Sequence, residues 1–194
     1  CIFFIVVCSN LLLQAVTAQE PGPKGIWATE YSHDSKYVAI GGDDSTLWIY
    51  RGNDYRLHKR FKLNKVIRAL SWHPKENLLA IATAGGIQLL DMNKERLETI
   101  PGLAKGGRGI GWNHNGELLA LGDFSGVVQI MNKQGKVIRS IRKYNTNSYL
   151  ALDWHPFKDI ILTASDEFIL FDTSGRQLNL FRHRKEATGI LSVD

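Results

Sequence analysis

Four histidines stand at near-equal intervals in this 194-residue chain: His33, His73, His114 and His155. Imidazole ligates metals and titrates near neutrality, so such a set could hold an ion or relay protons. Their contexts argue for another use. They lie in Tyr31-Ser32-His33-Asp34, Trp72-His73-Pro74, Trp112-Asn113-His114-Asn115 and Trp154-His155-Pro156. These are turn sequences, in which polar side chains and proline set or satisfy the local backbone. One histidine in each of four separate turns does not converge on an ion, so turn and capping roles are expected, with no metal and no cofactor.

The other reactive residue types lead to the same place. Asp43-Asp44 and Asp166-Glu167 are adjacent acids in turns, with no base indicated beside them. Lys105-Gly106-Gly107-Arg108-Gly109 lacks the Lys-Ser/Thr ending and the helix of a phosphate-binding loop, and reads as a flexible connection. The two cysteines, Cys1 and Cys8, fall in the first 18 residues. A chain beginning near Gln19 would therefore have no disulfide framework, thiolate nucleophile or cysteine zinc site. No catalytic constellation emerges.

The elements that carry these turns repeat. The anchor aromatics Tyr31, Trp72, Trp112 and Trp154 are 41, 40 and 42 residues apart. After each anchor comes a short apolar run: Tyr37 to Gly41, Leu78 to Ala82, Leu118 to Gly122 and Ile160 to Ala164. Runs of this length bounded by turn residues are strands. Small residues recur in them, as expected where inner strands crowd toward a common axis. A turn and a third strand follow (Leu47 to Tyr50, Gln88 to Asp91, Val128 to Met131, Ile169 to Asp172), then a second turn and a more polar fourth strand. Four hairpin-linked strands recurring about every forty residues make the blade of a β-propeller.

The chain resembles the WD-repeat β-propeller family from about Gly25 onward. The family's Trp-Asp pair at the end of the third strand reads here Ile49-Tyr50, Leu90-Asp91, Ile130-Met131 and Phe171-Asp172. The apolar member is kept four times and the aspartate twice. The family's Gly-His pair before the first strand is absent from all four repeats. The resemblance implies an all-β propeller with four complete four-stranded blades and the start of a fifth. It further implies a partial ring that would be seven-bladed when complete. The repeats span about 25–65, 66–106, 107–147 and 148–186, and the next begins at 187–194. Absence of an initiator Met and an ending at Leu191-Ser192-Val193-Asp194, which mirrors Leu70-Ser71, are read as marks of a fragment.

Residues 1–18 carry no charge and are strongly apolar at Ile2 to Val7 and Leu11 to Leu13. Val16-Thr17-Ala18 then supplies the small residues that a signal peptidase reads. This segment is expected to be a signal peptide, and the protein exported to a periplasm or the extracellular space. The alternative is an uncleaved membrane anchor, although Asn10 and Gln14 interrupt a run at the lower edge of spanning length. A lipoprotein site at Cys8 fits less well, because Val7 stands where a small residue is wanted. Residues 19–24 read as a linker.

The formal net charge is +5. Basic residues gather on the fourth strands and after them: Arg56, His58, Lys59, Arg60, Lys62 and Lys65, then Arg139, Arg142 and Lys143, then Arg182 to Lys185. Lys and Arg on an outer strand keep an exposed edge from pairing with other chains. No basic-aromatic interleaving appears, which argues against nucleic acid.

Binding is therefore sought on the rim that opens the innermost strands. The positions four before each anchor are Trp27, Arg68, Arg108 and Leu150, with Tyr149 adjacent. A tryptophan with two arginines on one rim has the composition of a protein-contact hot spot. Trp27, Arg68, Arg108 and Tyr149 are the candidate partner-binding residues. The leading expectation is a non-catalytic interaction or scaffold module whose partner is a protein or peptide. The alternatives are a propeller enzyme of the metal-dependent hydrolase or lactonase type, or a sensor region whose active residues lie beyond residue 194. An enzyme would want Asp, Glu, Asn or His on several inner strands, and those strands carry mainly Ala, Leu, Ile and Gly.

Overall fold

The computed structural model describes residues 22–100, 106–142, 144, 150–165 and 167–182. The segment 1–18 expected to be a leader, Tyr149, Asp166, the basic residues Lys143 and His183 to Lys185, and residues 187–194 expected to begin the next repeat lie outside them. The described residues form sixteen strands and no helix. These make four antiparallel sheets, each with its strands in chain order. Blade 1 comprises β1 (Ile26–Tyr31), β2 (Tyr37–Gly42), β3 (Thr46–Arg51) and β4 (Leu57–Lys62). Blade 2 comprises β5 (Ile67–Trp72), β6 (Leu78–Thr83), β7 (Gly86–Asp91) and β8 (Arg96–Ile100). Blade 3 comprises β9 (Gly107–Trp112), β10 (Leu118–Asp123), β11 (Val127–Asn132) and β12 (Val137–Arg142). Blade 4 comprises β13 (Ala151–Trp154), β14 (Ile160–Ala164), β15 (Glu167–Asp172) and β16 (Gln177–Arg182). The innermost strands follow one another as β1, β5, β9 and β13. Strand pairing does not join blade 4 back to blade 1 among the described residues.

The apolar core lies between the sheets, in three clusters that each join two successive blades. Ile49 and Ala39 of blade 1 meet Ile67, Trp72, Leu79 and Ile81 of blade 2. On the same strand β6, Ala80 and Ala82 belong instead to the cluster shared with Trp112, Leu119 and Leu121 of blade 3. Ala120 in turn joins Trp154 and Phe171 of blade 4. Successive side chains of a strand point to opposite faces. A run such as Leu79-Ala80-Ile81-Ala82 thus presents large residues to the preceding blade and small ones to the following blade. The small residues make room for the next blade's anchor tryptophan. The glycines of the same runs admit the next blade's inner strand: a Cβ on Gly41 would lie 2.5 Å from Ile67, and one on Gly122 2.7 Å from Leu150.

The anchor column ties each seam with a hydrogen bond as well. Trp72 Nε1 donates to the Glu30 carbonyl (3.2 Å), Trp112 Nε1 to the Ser71 carbonyl (3.2 Å) and Trp154 Nε1 to the Gly111 carbonyl (2.8 Å). The acceptor is in each case the residue just before the previous blade's anchor. The glycine cluster is also part of the fabric: Gly107, Arg108 and Gly109 are in β9 rather than in a flexible connection. A Cβ on Gly109 would lie 2.8 Å from the Leu150 carbonyl oxygen and 2.9 Å from the Leu152 nitrogen. Only glycine lets the two inner strands approach so closely.

Candidate functional site

Three of the four innermost strands share an irregularity at one position. In the β1–β2 pairing Ile26 faces Gly42 and Ala28 faces Gly41, so Trp27 is the extra residue of a β-bulge. Ile67 faces Thr83 and Ala69 faces Ala82, which leaves Arg68. Gly107 faces Asp123 and Gly109 faces Gly122, which leaves Arg108. A bulge bends its strand and re-aims the extra side chain. Here the three re-aimed side chains meet.

They line one cavity of about 420 Å³ together with Ala28, Ala69, Leu150 and Ala151. Trp27 is about half exposed, at 51%. The Arg68 guanidinium carbon lies 5.2 Å from the Trp27 ring centroid and that of Arg108 6.0 Å. Arg108 also stands 5.3 Å from the Phe124 ring. Cations over an indole face are held by its quadrupole. The indole is fixed in turn by a 2.7 Å hydrogen bond from its Nε1 to Asp43 Oδ1. Burial, and then the neighbouring Arg68 charge, push the proton affinity of Arg108 below the usual arginine range. The Arg68 Nε is buried without a hydrogen-bond partner among the described residues.

The sequence expectation thus finds Trp27, Arg68 and Arg108 together, on walls supplied by Leu150 and three alanines. Tyr149 lies outside the described residues. Asp43 and Phe124 were missed. Both follow a second strand, and the signals were an acid opposite Gly25 and an aromatic inside a turn that otherwise favours Ser and Gly.

The anchor histidines stand in four separate turns, and His73 and His155 hold backbone. His73 is buried, at 2% exposure, and its Nε2 lies 3.0 Å from the Gly116 carbonyl oxygen. Its Nδ1 accepts from the backbone nitrogens of Lys75 and Glu76. A carbonyl partner fixes the proton on Nε2, and burial lowers the pKa of the ring. His155 Nδ1 accepts from the Phe157 nitrogen, and His114 Nδ1 is 3.6 Å from Asp159 Oδ1. Among the described residues no group of three or more His, Cys, Asp and Glu is placed to hold a metal ion.

Glu30 also escaped sequence reading. Burial in the seam between blades 1 and 2 pushes its carboxyl up to about 8, against a lowering hydrogen bond from the Trp72 nitrogen to its Oε2 (3.0 Å). On the outer edge, Lys59 and His58 pair with Glu95 of the next blade, and Arg60 lies over Trp48. Part of the basic edge therefore ties structure together.

A family model described as the anaphase-promoting complex subunit 4 WD40 domain matches residues 29–105. The chain is also similar to the intraflagellar transport protein 122 homolog of Danio rerio, 27% identical over 161 residues. A homolog of the same name from Xenopus tropicalis is 26% identical over 161 residues. Each alignment covers 79% of this chain, and the chain spans about 13% of the length of these curated relatives.

Proposed function

We propose that this chain, whose four-stranded blades and similarity to WD40 domains mark it as of WD-repeat β-propeller type, is a non-catalytic contact module whose Trp27–Arg68–Arg108 rim grips a protein or peptide. The observation that carries this reading is the column of bulges, which turns three side chains from three blades into one cavity. A second column of bulges lies between the third and fourth strands of blades 1, 3 and 4, so what sets the rim column apart is that its three extra side chains, re-aimed by their bulges, meet in one cavity. The relatives are named as transport proteins, which agrees with a scaffolding part in a larger assembly.

Replacing Trp27, Arg68 and Arg108 together with Ala in the complete protein should abolish capture of its partner. Such anchors each contribute on the order of 2 kcal/mol to an interface. Replacing the edge residues Lys136 and Arg139, both exposed, should leave capture intact, since surface changes of that kind shift stability by less than about 0.5 kcal/mol. The reverse pattern would move the contact to the outer edge. We also propose that residues 1–18 are removed on export, supported by their uncharged, apolar composition and the small residues Val16-Thr17-Ala18. N-terminal sequencing of the mature protein should then begin at Gln19, and an intact segment on a cytosolic protein would overturn the export reading.

A further inference from the structure

The described lining of the rim cavity is basic and apolar. Of its seven described lining residues two are arginines and none is acidic. The nearby Asp43 carboxylate is engaged by the Trp27 indole nitrogen at 2.7 Å. Arg68 makes no ion pair among the described residues, and its buried Nε has no hydrogen-bond partner there. Both guanidinium groups lie over the same indole, within about 6 Å of its centre. Like charges gathered in a half-buried site destabilise one another, and the Arg68 charge adds to the burial that lowers the proton affinity of Arg108. An anion placed between them would remove that cost and gain forked, charge-assisted hydrogen bonds. The rest of the wall, Ala28, Ala69, Leu150 and Ala151, is apolar and small.

We propose that this cavity takes an anionic side chain of a peptide, its carboxylate or phosphoryl oxygens held between Arg68 and Arg108, with an adjacent apolar side chain on the alanine and leucine wall. The inference rests on the contact-face reading above and adds the chemistry of the ligand.

The test uses the complete protein and three fluorescein-labelled peptides that differ at one position. Each carries a single Leu-Xaa pair in a Gly-Ser background, with Xaa as Glu, phosphoserine or Gln. Fluorescence anisotropy should show the Glu or the phosphoserine peptide binding at least about tenfold tighter than the Gln peptide. Preference for Glu identifies a carboxylate, and binding of phosphoserine alone a phosphoryl group. Arg68→Gln with Arg108→Gln should erase the preference, whereas Arg68→Lys with Arg108→Lys should keep part of it, because the charge remains and only the fork is lost. Unchanged melting temperatures identify folded variants, and the lysine pair serves if the glutamine pair does not fold. Equal binding of all three peptides, no binding of any, or a preference undiminished in the glutamine pair (in the lysine pair, where the glutamine pair does not fold) would overturn the inference. If that happens while Trp27→Ala still abolishes partner capture, the contact face stands and the anion does not. If Trp27→Ala captures normally, both fall.

Discussion

Trp72 reaches back across the first seam to donate its indole hydrogen to the Glu30 carbonyl, 42 residues earlier, and the same bond recurs from Trp112 to Ser71 and from Trp154 to Gly111. The anchor column therefore serves the seams rather than its own blade. Each tryptophan is buried in the cluster it shares with the preceding blade.

Trp112→Phe keeps most of the apolar bulk but leaves the Ser71 carbonyl without its indole donor. A buried acceptor so orphaned costs about 1–3 kcal/mol. Denaturant unfolding of the variant should show a loss of that size. A loss below about 0.5 kcal/mol would mean that the seam is held by packing alone.

Gly116 has φ +83°, and a Cβ there would stand 2.1 Å from His73 Nε2. Gly116→Ala must adopt a left-handed backbone that costs about 1–2 kcal/mol and must also displace the imidazole. The total loss should exceed about 2 kcal/mol, measured by thermal unfolding. His73→Ala removes the clashing ring, so the double variant should lose less than the sum of the two single variants. Strict additivity would show that the two residues do not meet.

The part-buried Glu30 sets a direction for stability against pH. Its carboxyl titrates near 8 in the folded chain and near 4.5 when unfolded. Between those values the folded chain holds a proton that the unfolded chain has lost, so this group makes stability fall as pH rises from about 4.5 to about 8. The slope is at most about 1.4 kcal/mol per pH unit. His73 acts oppositely: burial keeps its ring neutral, and stability is lost as pH falls below about 6.5. Glu30→Gln can still accept from the Trp72 nitrogen but cannot titrate. The difference between the wild-type and Glu30→Gln unfolding profiles isolates Glu30, and it should grow in favour of the variant as pH rises through this window. A flat difference would place Glu30 in contact with water.

How much of this was legible in the sequence differs by level. The strands were readable because the anchors recur and because each apolar run ends at turn residues such as Ser125-Gly126. Trp27, Arg68 and Arg108 were found together because they share a column four before the anchors. Why they converge was not readable. A bulge is a property of pairing, decided by what Gly41-Gly42, Ala82-Thr83 and Gly122-Asp123 do on the neighbouring strand. The roles of Glu30 and His73 were hidden for a similar reason. Each acts on a residue about forty positions away, in the next blade, and nothing local marks a carboxyl or an imidazole as buried. Gly109 looked like part of a loop because close approach to Leu150 and Leu152 is equally invisible in one dimension.

The central claim is that the bulge column is the contact surface, and residue-resolved amide hydrogen exchange of the complete protein, with and without its captured partner, tests it most directly. The account predicts new protection in the first residues of β1, β5 and β9, at Trp27, Arg68 and Arg108, with exchange unchanged along the outer strands β4 and β12. Protection confined to those outer strands, with the three bulges exchanging as in the free protein, would contradict it.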